Sequence, residues 1–331
     1  MRRGPNMAVS QRTRRELLAL CGGATGLLAG CFGDPADPGD EESPDREGND
    51  SQSGALFESG QFAAGCPSYP STERVLCYDA IGEKSVPGLL EPGARTLAPG
   101  SSVDFTLRND SDAPLRSNFY DWQVHKRVDG EWFHVAPLSW PEPLMTVEPG
   151  GTHTWTVTLD DVAVESGNLV PRLTAERDVA LPAVGGGTYA FRARGFFADD
   201  DFETALAFAA TFDIDAPPLE LAPTTLIDEP EFDGETLRAS SSRGNPETEN
   251  PRFVLELERL EPPVINARRM VTEQIVRRLP LRDAVALAEE FDADSVAIVE
   301  ENGALPMFTS NLPRSIEYQG SYYEVVIRQS E

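Results

Sequence analysis

Between Arg74 and Ile214 the chain never sustains a helical pattern. It breaks into short runs rich in β-branched and aromatic residues, each stopped by a turn signal. The runs are Arg74–Asp79, Ser101–Asn109, Asn118–Val128, Glu131–Val135, Thr152–Leu159, Thr188–Phe197 and Ala205–Ile214. Val103, Phe105 and Leu107 put apolar side chains on one face of their run, and Trp155, Val157 and Leu159 do the same in theirs. That period of two is what a strand half-buried in a sheet requires. Asp129-Gly130 separates two runs with residues suited to positive φ, a hairpin signal, while Pro99-Gly100 and Pro149-Gly150-Gly151 place turns before strands. Seven strands at this spacing predict a β-sandwich, so the chain is expected to be mainly β.

After Pro217-Pro218 the composition changes. A strand is expected over Arg252–Leu260, then a helix from about Ala267 to Arg278, then a second helix opened by Pro280. In the second, Ala284, Val285, Leu287, Ala288 and Phe291 recur at helical spacing. Asp294–Val299 reads as a buried strand, and Ile316–Tyr318 and Tyr322–Ile327 as a hairpin across Gln319-Gly320-Ser321. This half is expected to be a small α+β domain.

The N-terminal segment has a different character. Arg14-Arg15 stands ahead of an apolar run from Leu17 to Gly30, too short to span a bilayer comfortably. Charge, a short apolar stretch and then small residues describe a signal peptide, and the paired arginines resemble the twin-arginine export signature. Leu28-Ala29-Gly30-Cys31 resembles the lipobox of bacterial and archaeal lipoproteins. The resemblance implies cleavage before Cys31, lipidation of its thiol and anchorage at the outer face of the cytoplasmic membrane. Two acyl chains on one cysteine would satisfy what stable anchoring needs. From Gly33 to about Gly60 acidic, Pro, Gly and Ser residues dominate, so a disordered acidic tether is expected. The expected organisation is thus a signal peptide over 1–30, a linker over 31–62, a sandwich over 63–216 and an α+β domain over 217–331. Met7 is an alternative start to Met1.

Charge narrows the partners. Of 331 residues 55 are acidic and 28 basic; residues 1–30 hold five Arg and one Glu, leaving 23 basic and 54 acidic residues beyond them, a net of −31. Such a surface repels nucleic acid. Lysine is confined to Lys84 and Lys126. Acid excess with lysine depletion resembles proteins of salt-loving archaea. The order "PGSSVDFTLRNDSD", "RVDGEW", "EPGGTHTWTV" and "GGGTYAFRARG" resembles the immunoglobulin-like domains of bacterial and archaeal surface proteins. It rests on turn placement and alternation, covers about a third of the chain and implies a fold more than an activity.

Candidate sites follow. Cys66 and Cys77 are expected to form a disulfide, with free thiols or a soft-metal site as the alternative. Asn49 and Asn109 each begin a glycosylation sequon. Asp199, Asp200, Asp201 and Glu203 could hold calcium, although such a run in an acidic chain is more often a solvated turn. His125, His134 and His153 show no paired ligand spacing and read as surface or edge residues, so no metal and no cofactor is expected. Trp122, Trp132, Trp140 and Trp155 could stack on a glycan or fill a core. Gly185-Gly186-Gly187 precedes a strand and reads as a turn, and Arg268-Arg269 and Arg277-Arg278 are expected to pair with nearby carboxylates. No catalytic residue is assigned, because no nucleophile elbow, zinc-protease helix or redox cysteine pair occurs. The expected function is a surface-anchored, non-catalytic binding or structural module with an envelope protein or glycan as partner. A peptidase inhibitor and a hydrolase with carboxylates between its two domains are the alternatives.

Overall fold

The computed structural model describes residues 63–82, 85–160, 175–198, 200, 204–243, 252–300 and 312–330. The fold is mainly β, with three sheets among the described residues. The first sheet runs Arg74–Cys77, Leu206–Ile214, Gly187–Phe197, Leu115–Ser117, Met145–Val147, and the hairpin of Gln123–Val128 with Glu131–Ala136 joins it on Gly187–Phe197. The second sheet runs Asp178–Pro182, Thr152–Asp160, Ser102–Asn109, Gly88–Pro92.

These two sheets meet through the faces that alternation predicted. Val103, Phe105, Leu107, Trp155, Val157 and Leu159 are all buried and share one core with Phe191, Phe208 and Phe212 of the first sheet. Phe105 stacks on Phe191 across the interface, with ring centroids 4.5 Å apart. In these two sheets five pairing strands were not anticipated: Gly88–Pro92, Thr96–Leu97, Leu115–Ser117, Met145–Val147 and Asp178–Pro182. None is longer than five residues, and proline or glycine falls in two of them, so each is defined by its neighbour more than by its own pattern.

The third sheet runs Glu231–Asp233, Thr236–Ser241, Ser295–Glu300, Arg252–Leu260, Ser321–Ser330, Ser315–Tyr318, Arg268–Arg269. Helix Leu279–Glu290 lays Leu281, Ala284, Val285 and Ala288 on it, against Leu255, Leu257, Val296 and Ile298. Pro280 sits in the first turn, where its missing N–H has no helical partner to lose. The expected helix over 267–278 is corrected. Arg268 and Arg269 are extended, pairing with Ile316 and Glu317, and only Thr272–Ile275 is helical. A sheet edge with free ladder positions outweighs a weak local helix propensity.

Cys66 and Cys77 are disulfide-bonded, with their Cα atoms 5.8 Å apart. Tyr69 lies between them in sequence and packs with Ala207 and Ala209 on the outer face of the first sheet. The bridge thus staples the entering chain onto that face. No described helix is long and apolar enough to cross a membrane.

Candidate functional site

Two clusters of buried polar side chains lie against the first sheet. The first joins the sandwich to the third sheet. Gly185-Gly186-Gly187 is the structural device that allows it: a Cβ on Gly185 would lie 2.2 Å from Leu219 N, and one on Gly186 only 1.8 Å from Ala216 O. The chain leaving the sandwich therefore presses directly on this run, and Gly186 N donates to Pro217 O at 2.8 Å. With the run fixed, Gly185 N points at Glu273 Oε1, 3.2 Å away. The same oxygen takes Lys126 Nζ at 2.5 Å and faces Tyr189 Oη at 3.2 Å. Burial, reinforced by Glu273, holds the Tyr189 phenol far above its ordinary range, so it stays a donor. Its single proton serves Gly185 O, at 2.7 Å, or Glu273.

Arg277, one helical turn on, donates to Ala183 O at 3.0 Å, to Glu273 O at 2.6 Å and to Pro182 O. Burial pushes its pKa down to about 10, which leaves it charged at neutral pH. Gln274 Nε2 reaches the His134 carbonyl at 2.9 Å, while its Oε1 accepts from Val271 N. Arg269 adds an exposed pair of bridges to Asp129 and Glu131 at the hairpin tip. Ala183, Val276, Leu219 and Leu221 fill the apolar part of the junction.

The second cluster lies on the outer face of the first sheet, under the stapled segment. His125 and His134 stand opposite each other in the hairpin ladder, ring centroids 5.1 Å apart. Tyr69 meets His125 edge-on at 5.2 Å, and the Arg192 guanidinium lies 5.3 Å over the Tyr69 ring. Arg192 is 1% exposed and bonds Asp121 Oδ1 at 2.8 Å. Burial, then His134 and Arg192, lowers the His125 pKa to about 3. Burial, then Arg192 and Arg278, lowers that of His134 to about 4, although a hydrogen bond to the Ala136 backbone opposes this. Both rings are neutral at neutral pH. Desolvation likewise raises the Asp121 pKa, against the pull of Arg192.

The remaining candidates separate. His153 is buried in the main core, stacked on Phe119 and bonded to Glu176 O at 2.8 Å, so it does not join the other two. Trp122 and Trp155 are core residues; Trp132 and Trp140 are half-buried. Asn109 is fully buried. Its Nδ2 donates to Ala113 O and Val147 O, and its Oδ1 accepts from Ser111. The folded chain therefore withholds that sequon from a glycosyl donor. Asp200 is half-buried, with one carboxylate oxygen buried and unpartnered. Asp199, Asp201, Glu203, Asn49, Arg14, Arg15 and Cys31 lie outside the described residues. Cys66, Cys77 and Asp79 bring possible metal donors together, but both sulfurs are committed to the disulfide and Asp79 to Arg95 and Thr211.

Sequence reasoning overlooked the histidine pair although its signal was present. Counting outward from the Asp129-Gly130 turn, Val128 faces Glu131, and three positions further His125 faces His134. Asp129 and Gly130 both have positive φ, as a two-residue turn of that hand needs. Glu273 carried no such signal.

No family model matches the chain, and no curated protein does. Solved structures offer distant partial likenesses. The Pseudomonas fluorescens alkylpurine DNA glycosylase AlkC, bound to DNA with an abasic-site analogue, aligns over 40% of this chain and 31% of its own length, at 10% identity and a TM-score of 0.19. The chain therefore spans less than a third of that enzyme. The YadV chaperone aligns over 51% of this chain and 73% of its own, at 14% identity and a TM-score of 0.21.

Proposed function

We propose that this chain is a non-catalytic binding or structural module of the cell envelope, displayed at the outer face of the cytoplasmic membrane and tethered there through Cys31. One observation carries the non-catalytic part. A hydrolase working between the two halves needs a pair of carboxylates facing a water-filled cleft. Among the described residues the buried acid at that junction is Glu273, and its side chain is spent on Lys126, Gly185 and Tyr189. A junction closed in this way suits a rigid display platform. Two sheets packed face to face, with turn-rich connections, support reading the first half as an immunoglobulin-like sandwich that offers loops to a protein or glycan partner. The anchoring part rests on Arg14-Arg15, the short apolar run and Leu28-Ala29-Gly30-Cys31.

Cys31→Ser tests the tether. The variant is expected to accumulate as an uncleaved or unanchored precursor that leaves the detergent phase on phase separation, while the unaltered protein stays in it. A Cys31→Ser protein that is still processed and still partitions with detergent would remove the lipid anchor from the account.

A further inference from the structure

We infer that Tyr69, His125, His134 and Arg192 form a buried site for a small monovalent anion of halide size. The observation behind it is four buried polar atoms without partners on side chains that pack against one another: Tyr69 Oη, His125 Nδ1, His134 Nε2 and Arg192 Nε. Three of these side chains are at least nine-tenths buried, with Tyr69 at 5%, His125 at 9% and Arg192 at 1% exposure. Buried polar groups are almost always satisfied, so four neighbouring exceptions on one face of a sheet point to a missing ligand. Asn109 and the Glu273 Oε1 atom, by contrast, are buried and have hydrogen-bond partners.

Charge selects the class of ligand. Two guanidiniums, Arg192 and Arg194, act here on one carboxylate, Asp121. Arg268 and Arg278 add positive field at His134 from the neighbouring half, and Glu142 reaches Asp121 from outside. A chain with 55 acidic residues thus holds a locally cationic face here, and these four atoms lie on it. A metal cation would sit among guanidiniums, and a neutral water would leave the excess charge standing. An anion accepts from the Tyr69 hydroxyl and the Arg192 Nε–H and neutralises the excess.

The tautomers add a proton to the event. His134 is bonded to the Ala136 backbone and its Nε2 is the orphan, so by elimination Nδ1 makes that bond and Nε2 is bare while the ring is neutral. An anion beside Nε2 favours its protonation, because the charged ring then donates to it. Binding is therefore linked to proton uptake, and affinity rises as pH falls.

The test replaces glutamate by bromide at fixed potassium concentration and ionic strength, with the melting temperature followed at about pH 7 and about pH 5. A saturable rise is expected, with its midpoint at lower bromide in the more acidic buffer. Tyr69→Phe keeps the ring and removes one donor, so it should weaken bromide about fivefold, the equivalent of one hydrogen bond. His134→Gln should keep the halide response and lose its pH dependence. Crystals in bromide should give an anomalous peak within hydrogen-bond distance of Tyr69 Oη and Arg192 Nε. A melting temperature indifferent to the identity of the anion, an equal response in Tyr69→Phe, or no bromide peak at this face would each overturn the site.

Discussion

Arg243→Met is expected to cost about 3–5 kcal/mol, among the largest effects of any single substitution in this chain. Arg243 is held between two carboxylates that are entirely buried, Asp283 of the helix and Glu300 at the end of a central strand. Nε faces both oxygens of Glu300 at 3.1 Å, Nη2 bonds Glu300 as well, and Nη1 bonds Asp283 Oδ2 at 2.5 Å and Thr224 Oγ1 at 3.2 Å. Asp283 also accepts from Thr224 N at 2.6 Å. Removing the guanidinium leaves two charges in a low-dielectric interior without their main counter-ion, and that desolvation, not the lost attraction, sets the cost. Arg243→Met combined with Asp283→Asn and Glu300→Gln should therefore recover most of the loss. Urea unfolding followed by far-UV circular dichroism measures it, and fluorescence of the four tryptophans, all before residue 156, should give the same midpoint if both halves unfold together. A single-variant loss below about 1 kcal/mol, the range of a surface ion pair, would mean that these carboxylates are not buried together.

Glu273→Leu should be nearly as costly, and for a related reason. Its carboxylate is 2% exposed and answers Lys126, which is 11% exposed, together with Gly185 N and Tyr189 Oη. Leucine strands a buried ammonium and a backbone N–H, so a loss of about 3–5 kcal/mol is expected. Adding Lys126→Met should restore a large share of it, with a coupling of about 1–3 kcal/mol in the double-mutant cycle. Additive losses would show that Lys126 and Glu273 do not meet, and that the two halves are not joined as described.

These two networks mark the limit of what the sequence could disclose. Period-two alternation announced which faces of Ser102–Asn109 and Thr152–Asp160 enter the core, because burial in a strand is written locally in every second residue. Pro280 and the spacing of Ala284, Val285 and Ala288 did the same for the helix. The disulfide followed from two cysteines outside the export segment. The Arg269 pairing with Asp129 and Glu131 fits the role expected of a basic residue in an acidic chain, though its partners lie in the other half. Glu273 and Lys126 are 147 residues apart, and nothing near Glu273 distinguishes it from the other acids. Its burial is decided by the glycine run that lets another segment approach, a cause no local pattern records. The helix expected over 267–278 failed likewise, since Arg268 and Arg269 answer a sheet edge supplied by Ile316 and Glu317.

Scanning calorimetry of the folded protein in high salt tests most directly whether the first two sheets and the third form one cooperative unit. Junction contacts from Lys126, Gly185, Tyr189 and His134 to Glu273 and Gln274 predict a single transition, with calorimetric and van't Hoff enthalpies equal. Two resolved transitions, with the lower one insensitive to Glu273→Leu, would contradict it.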